Sequence, residues 1–466
     1  MQDVLIIGGG PAGSTAASLL AIHGHRVKLL EQTKFPREHV GESLLPFCYE
    51  IFESLGVVEE MKSLFVRKPT VRFLSNDGSR STNWCFNEVI KDESSLSFHV
   101  DRKIFDTVLL NNSRHVGVDV HEETKVTDVS FDTDNDCVLV TSRGKDNRLE
   151  THKSRFLIDA SGRSTFMAST NGWRTADQTF ARTALWTHWS HIRNMDGGLN
   201  EGSALIVYLG GEKRGWIWLF PLGRDRVTAG VVMETSYLRE QKRRLVEGGS
   251  SEWTLDLYQE ELNESPFVRG IIDEAEMVRS VRVEGDYSYN TSIKHGRRYA
   301  LVGDASRFVD PIFSSGVYLS IKSASLVADS LDKMLKSGDL DANEPLIEAY
   351  QQINGAYDFI YRLIALFYDP HSVSFADAGA ALREHTSHED AMAAGHYILS
   401  GDFFVNHRRY HKFLDLLADS RRFEMYKQLV VQSHASDKDS CNLSAEERAK
   451  IFPAESESFS PPHHKN

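Results

Sequence analysis

Val4-Leu5-Ile6-Ile7-Gly8-Gly9-Gly10-Pro11-Ala12-Gly13 decides the fold of this chain. Four consecutive apolar residues suit a parallel strand covered on both faces, and the run passes directly into glycines. Ala12, Ala16, Leu19 and Leu20 follow at helical spacing, His23-Gly24-His25 ends that helix, and Val27-Lys28-Leu29-Leu30 reads as a second strand closing on Glu31. The unit is βαβ. Gly8 permits the tight turn, Gly10 lets the backbone approach a pyrophosphate held on the N-terminus of the helix that begins around Ala12, and Gly13 allows close helix–strand contact. Glu31 lies 18 residues past Gly13, where it can accept from a ribose 2′-hydroxyl. The spacing predicts a dinucleotide site in a doubly wound sheet.

Two later segments end in the same way. Phe156-Leu157-Ile158 runs into Asp159-Ala160-Ser161-Gly162-Arg163-Ser164, and Tyr299-Ala300-Leu301-Val302 runs into Gly303-Asp304. A carboxylate at the C-terminal end of a parallel strand faces the crevice where such sheets bind ligands, so Asp304 can reach a ribityl hydroxyl.

Composition bounds the rest. The 466 residues, 41% hydrophobic and 26% charged, suffice for two or three packed units. A formal charge of −13 provides no basic face for nucleic acid and argues against anionic lipid. The N-terminus enters a strand almost at once and no run approaches the ~20 apolar residues of a membrane span, so neither a signal peptide nor a membrane helix is expected and the cytoplasm is the expected location. Cys48, Cys85, Cys137 and Cys441 are widely separated with no CxxC pair, which predicts reduced, inert thiols rather than a disulfide or zinc site.

The three strand-end signals, with Pro36-Arg37-Glu38-His39-Val40-Gly41-Glu42-Ser43 and His99-Val100-Asp101-Arg102 leading to Phe105-Asp106, resemble the FAD-binding frame of the aromatic hydroxylases, geranylgeranyl reductases and flavin-dependent halogenases over about residues 1 to 335. The resemblance implies FAD as cofactor. Arg37, Val40 and Ser43 then belong to the flavin loop, with Val317 also at the cofactor. Arg102 can grip the FAD phosphates with both prongs of its guanidinium, or form an exposed salt bridge at a helix start.

Residues near the flavin ring resemble the halogenases in particular. In Asp310-Pro311-Ile312-Phe313-Ser314-Ser315-Gly316 a turn opens a helix with apolar positions Val317, Ile321, Ala324, Ala328, Leu331 and Leu335. Its first N–H groups can hold an anion, either negative charge on the reduced ring or, as the resemblance implies, chloride or bromide on Ser315 and Gly316. Lys68, in Phe65-Val66-Arg67-Lys68-Pro69-Thr70-Val71-Arg72-Phe73, resembles the active-site lysine; without that likeness it reads as a solvated surface residue. Trp216-Ile217-Trp218-Leu219-Phe220-Pro221 looks like the halogenase WxWxIP motif with Phe220 in the isoleucine position. It reads either as a core strand or, with Pro311, as a wall keeping organic substrate off the flavin.

The resemblance implies an FADH2- and O2-dependent halogenase that makes hypohalous acid and passes it to Lys68, which delivers halogen to an electron-rich ring. One dinucleotide fingerprint implies that a separate flavin reductase supplies FADH2. Tryptophan halogenases carry a glutamate beside the halide turn, where this chain has Phe313 or Ser314, so phenols or pyrroles, free or tethered to an acyl or peptidyl carrier protein, are the expected acceptors. His99, His371 and His407 are candidate bases. A monooxygenase or reductase on the same frame, or a noncatalytic flavoprotein, are the rival readings.

The expected class is α/β: a Rossmann-type FAD-binding domain from residues 1–64, 101–170 and 291–335, an antiparallel-sheet substrate domain from 65–100 and 171–290, and a small C-terminal helical cap over 336–432. Residues 433–466, rich in Ser, Glu, Lys, Pro and His, read as a flexible tail whose His463-His464 pair is too little for a metal site.

Overall fold

The structure, a computed structural model, describes residues 1–177, 179–209, 215–285, 288–369, 371–373, 389–423 and 441–453. The opening stretch forms the strand Gln2–Ile7 and the helix Pro11–Ile22, followed by the strand Val27–Leu30. Val4, Leu5, Ile6 and Ile7 are all buried, as a strand covered on both faces requires. Gln2–Ile7 pairs in parallel with Val27–Leu30 on one side and Leu149–Asp159 on the other; Tyr299–Leu301 extends the parallel sheet beyond the latter, and Asp119–His121 beyond Val27–Leu30. Gly8, Glu31, Asp159 and Asp304 therefore cluster at one rim of the sheet. The helix Gly316–Ser337 packs beside Pro11–Ile22, and both share one apolar core with the long helix Glu344–Tyr368.

A second sheet runs in the order Glu276–Met277, Arg182–Ser190, Val227–Glu234, Gly215–Pro221, Ala204–Leu209, Thr70–Leu74, Ser81–Cys85. It departs from the fully antiparallel sheet expected, because Ala204–Leu209 pairs in parallel with Thr70–Leu74. Residues 171–290 also hold the helices Thr235–Glu247, Trp253–Asn263 and Pro266–Ile272, where the sequence reading saw only strands. These helices cover one face of the sheet: Leu257, Tyr258, Leu262 and Val268 pack with Leu185, Ile217 and Val231. The opposite face, with Trp186, Trp216, Trp218 and Phe220, joins the core shared with the first sheet. Residue alternation along the strands thus sends one set to the helices and the other to the site.

Two corrections concern the C-terminus. Cys85 and Cys441 form a disulfide, with Cα atoms 5.7 Å apart, while Cys48 and Cys137 are free and buried. The expectation of four reduced thiols fails because a pair 356 residues apart leaves no spacing signal; the cysteine argument for a reducing compartment falls with it. The expected tail from 433 is also corrected in part. Residues 441–453 pack against the body, where Cys441, Leu443 and Ile451 join Val66, Cys85 and Leu96 in one apolar cluster, and the Ile451 carbonyl accepts from the N–H of Arg67 at 2.6 Å. His463 and His464 lie outside the described residues. Among the described residues no helix is long and apolar enough to cross a membrane.

Candidate active site

A cavity of about 610 Å³ opens at the rim of the parallel sheet. Gly8, Gly10 and Ala12 line it beside the first turn of Pro11–Ile22, whose leading N–H groups have no intrahelical acceptor. Gly13 does not line it; a Cβ there would lie 1.9 Å from the Gly8 carbonyl oxygen, so glycine is what lets the helix sit against the turn. Glu31 lines the cavity with its carboxylate fixed by the N–H of Gly9 at 2.7 Å and that of Thr33 at 2.8 Å, and each oxygen keeps accepting capacity for a hydroxyl. Asp304 lines it too, and burial pushes its carboxyl up to about 6 despite Arg163 and Arg102. Glycine backbone, an open helix N-terminus and two fixed carboxylates fit a dinucleotide with its pyrophosphate and polyol.

Arg37, Val40, Ser43 and Arg102 also line this cavity. The two-pronged phosphate grip expected of Arg102 is not available in this arrangement. Its Nε and Nη2 donate to Asp106 at 2.7 and 3.0 Å, and Nη1 donates to the Val40 carbonyl at 2.6 Å. Buried Asp106, one helical turn on, competes for the fork, so the salt-bridge alternative holds, but buried rather than exposed. Arg37, 3.4 Å from Asp106 and stacked over Phe35, is the less committed cation. His39 sits among these charges; burial, reinforced by Arg102, holds its imidazolium form down to a pKa of about 3.

At the other end the cavity is lined by Trp216, Trp218, Phe220, Pro311, Ser314, Gly316 and Val317. Trp216 and Trp218 stand on the same face of the strand Gly215–Pro221, ring centroids 5.7 Å apart, and Phe220 continues the row at 6.4 Å from Trp218. Pro221, one residue further, is buried outside the lining. Trp218 has room because Val227–Glu234 carries Gly230 opposite it; a Cβ on Gly230 would come 2.2 Å from the indole. In the Asp310–Gly316 turn, Ser314 takes a left-handed φ of 54°, and its N–H donates to the Pro311 carbonyl at 2.8 Å. Ser315 lies behind the lining, fully buried, and its hydroxyl has no hydrogen-bond partner among the described residues.

Lys68 does not line the cavity. It ends the short strand Val66–Lys68, just before Pro69, and is 1% exposed. Its ammonium nitrogen donates to the Leu44 carbonyl at 2.9 Å and lies 5.3 Å from the Phe86 ring centre. Among the described residues no carboxylate acts on it, and burial pulls its pKa from 10.5 to about 7. Two rings connect the cavity lining to the strand pair that carries Lys68. Phe220 faces the cavity, His99 stacks on Phe220 at 5.4 Å, and the pairing of Val66–Lys68 with Ser97–His99 sets His99 diagonal to Lys68 on one face of the ribbon. His99 donates from Nε2 to the Gly202 carbonyl, and burial with the nearby Lys68 charge holds it neutral. Of the other histidines proposed as bases, His371 is exposed and His407 packs against Gly355 of the long helix.

Three features escaped the sequence reading. Glu42 lines the cavity and accepts from His188 Nε2 at 2.7 Å, while Arg279 donates to His188 Nδ1 at 2.7 Å and pairs with Glu38 at 2.5 Å. The glutamate lay in a quoted motif, but its partners lie 146 and more residues away. Gly230 gave only the faint signal of a glycine inside a strand. Tyr368 closes a hydrogen-bond bridge between Trp216 and Asp310, partners 152 and 58 residues away that no local spacing signals.

The frame and the cavity define an FAD flavoprotein, and the family described as FAD binding domain matches residues 1–356. A tryptophan 2-halogenase of Chondromyces crocatus is 34% identical over 374 residues, covering 78% of this chain and 67% of that protein. A 1H-pyrrole-2-carbonyl-[peptidyl-carrier protein] chlorinase of Pseudomonas fluorescens is 30% identical over 393 residues, covering 78% and 84%. The solved structure of the myxobacterial chondrochloren halogenase CndH superposes with a TM-score of 0.71 at 29% identity, covering 92% of this chain and 96% of that one. The chain belongs to the flavin-dependent halogenases, enzymes of the oxidoreductase class.

Proposed function

We propose that the protein halogenates an electron-rich aromatic ring, with Lys68 as the group that presents the halogen. Reduced FAD, when bound, supplies with dioxygen the two-electron oxidant that turns halide into hypohalous acid. The remaining steps fall to the chain. Ser315 and Gly316, with the first N–H groups of Gly316–Ser337, hold chloride or bromide beside the cavity. Trp216, Trp218 and Phe220 bar an organic ring from the cofactor. Lys68 then hydrogen-bonds hypohalous acid as an ammonium, or takes the halogen on its amine and passes it on; either way the net step is Ar–H + HOX → Ar–X + H2O.

The observation that carries this reading is the state of Lys68: a primary amine, 1% exposed, outside the cavity lining, with no carboxylate partner among the described residues and its pKa drawn to about 7 by burial. A structural lysine would be paired or would reach solvent. The cofactor contacts proposed for Gly8, Gly10, Ala12, Glu31, Arg37, Val40, Ser43, Arg102, Asp304 and Val317 rest on their place around one cavity.

Phenols and pyrroles, free or carrier-tethered, are the proposed acceptors, supported by the name of the pyrrole chlorinase relative. The name of the tryptophan 2-halogenase relative favours indole as a second reading. FADH2 is proposed to come from a separate reductase. The test supplies FADH2, oxygen and bromide with phenols, pyrroles and indoles, and follows mass shifts. Wild type should give brominated product. Lys68→Ala should give none while FADH2 oxidation continues; loss of both, or of neither, sinks the assignment.

A further inference from the structure

The turn proposed to hold halide is tied to the tryptophan wall by a single hydroxyl. Tyr368, the last residue of Glu344–Tyr368, accepts from Trp216 Nε1 at 2.9 Å and donates to Asp310 Oδ2 at 3.0 Å. The other oxygen of Asp310 accepts from the N–H of Ile312 at 3.0 Å, inside the turn. Asp310 is fully buried, so both oxygens depend on these protein donors. The Tyr368 ring is itself held, with Arg182 at 4.2 Å over its face and Arg182 paired to Glu234 at 2.8 Å. Phe313 of the turn packs edge-on against Phe367, next to Tyr368. The end of the long helix thus touches the turn twice and the wall once.

We propose that Tyr368 is a positioning residue for halide: by bridging Trp216 to Asp310 it sets the Asp310–Gly316 turn so that Ser315 and Gly316 present their donors to the anion. The inference rests on the halide reading of that turn and adds a residue 58 positions from Asp310 in sequence. Losing the hydroxyl removes the partner of the Trp216 N–H and of one oxygen of the buried Asp310. The turn, with its left-handed Ser314, is then free to relax, whereas the pyrophosphate end of the cavity is built on other elements.

Asp310 adds a second signature. Burial pushes its carboxyl up to about 6, against the opposing influence of the Ile312 N–H, the Tyr368 hydroxyl and the Arg182 cation. Among the described residues these, with Glu234 paired to Arg182, are the charged and polar groups facing it. Above about pH 6 a carboxylate charge appears five residues from Ser315, so halide binding weakens as pH rises through that value.

The test uses the full-length FAD-loaded protein. Chloride-35 NMR line broadening, displaced by bromide, reads halide binding directly, and bromide KM and kcat are measured with FADH2 supplied. Tyr368→Phe should raise the halide Kd and bromide KM about tenfold, as expected for one lost buried hydrogen bond. kcat at saturating bromide and FAD affinity should stay within about twofold. The pH midpoint of bromide KM should move upward, because the hydroxyl no longer steadies the carboxylate. Asp310→Asn, which keeps the shape, should flatten that pH dependence; if Tyr368→Phe fails to fold, an unflattened profile in Asp310→Asn overturns the proposal. An unchanged halide Kd in Tyr368→Phe overturns it as well, as does loss of FAD affinity in parallel with halide. A wild type whose product formation needs no halide overturns the halogenase reading of the turn itself.

Discussion

Burying an unpaired lysine should leave a measurable imprint on stability, independent of catalysis. Lys68 has its pKa drawn from 10.5 to about 7 by burial. At about 1.4 kcal/mol per pKa unit the drop corresponds to on the order of 5 kcal/mol against the ammonium form in the fold. The unfolded chain keeps the ordinary value, so folding sheds a proton between pH 7 and 10.5, and stability rises with pH across that window. Below pH 7 the cost is at its full, level value; at pH 9 about 2 kcal/mol of it remains. Lys68→Met removes the titration and keeps most of the volume. It also leaves the Leu44 carbonyl without its donor, about 1–3 kcal/mol, but that loss does not vary with pH. Relative to wild type, the variant should therefore gain roughly 3 kcal/mol on going from pH 9 to pH 6. With an unfolding entropy of about 2.1 cal/mol/K per residue over 466 residues, this is about 3 °C in Tm. Thermal unfolding of both proteins at pH 6, 7 and 9, followed by tryptophan fluorescence, measures the difference; titrations of groups remote from Lys68 cancel, while His99, which feels the Lys68 charge, is followed separately by NMR. A Tm difference that does not change with pH would refute the claim that burial holds this amine near neutrality.

The same titration separates the two roles open to Lys68. Product formation that rises as pH passes about 7 marks the amine as halogen carrier, formation that falls marks the ammonium, and a flat profile in single-turnover assays counts against both. Gly230→Ala puts a methyl 2.2 Å from the Trp218 indole and should cost about 1–3 kcal/mol while weakening FAD binding; flavin fluorescence titration showing unaltered affinity would contradict the packing role given to this glycine. Gly13→Ala brings a Cβ to 1.9 Å from the Gly8 carbonyl and should yield protein without flavin, visible as loss of the yellow absorbance on purification. Cys85→Ser should lower stability by about 2–4 kcal/mol and speed proteolysis within residues 441–453; equal cleavage rates in variant and wild type would show that the disulfide does not hold this segment.

The sequence determined the frame, because local chemistry suffices for it. Val4 to Gly13 specify a buried strand, a turn and a helix N-terminus within ten residues, and Asp304 and Glu31 declare themselves by following apolar runs. The wall was legible for a similar reason: strand alternation alone puts Trp216, Trp218 and Phe220 on one face, where they line the cavity. The role proposed for Lys68 rests on likeness, but its buried state could not be read from sequence, since a lysine before Pro69 reads as solvent-exposed until Leu44 and Phe86 close around it.

What only the tertiary structure decided are the pairings between distant segments. Arg102 spends its fork on Asp106 rather than on a ligand because burial of the carboxylate makes that pairing imperative. Glu42 with His188, Tyr368 with Trp216 and Asp310, and Cys85 with Cys441 join residues that share no periodicity. Backbone preference and hydrophobic period act over a few residues and can be read one segment at a time. Desolvation and hydrogen-bond satisfaction are set by whatever the fold brings alongside, and so appear only once the chain has closed on itself.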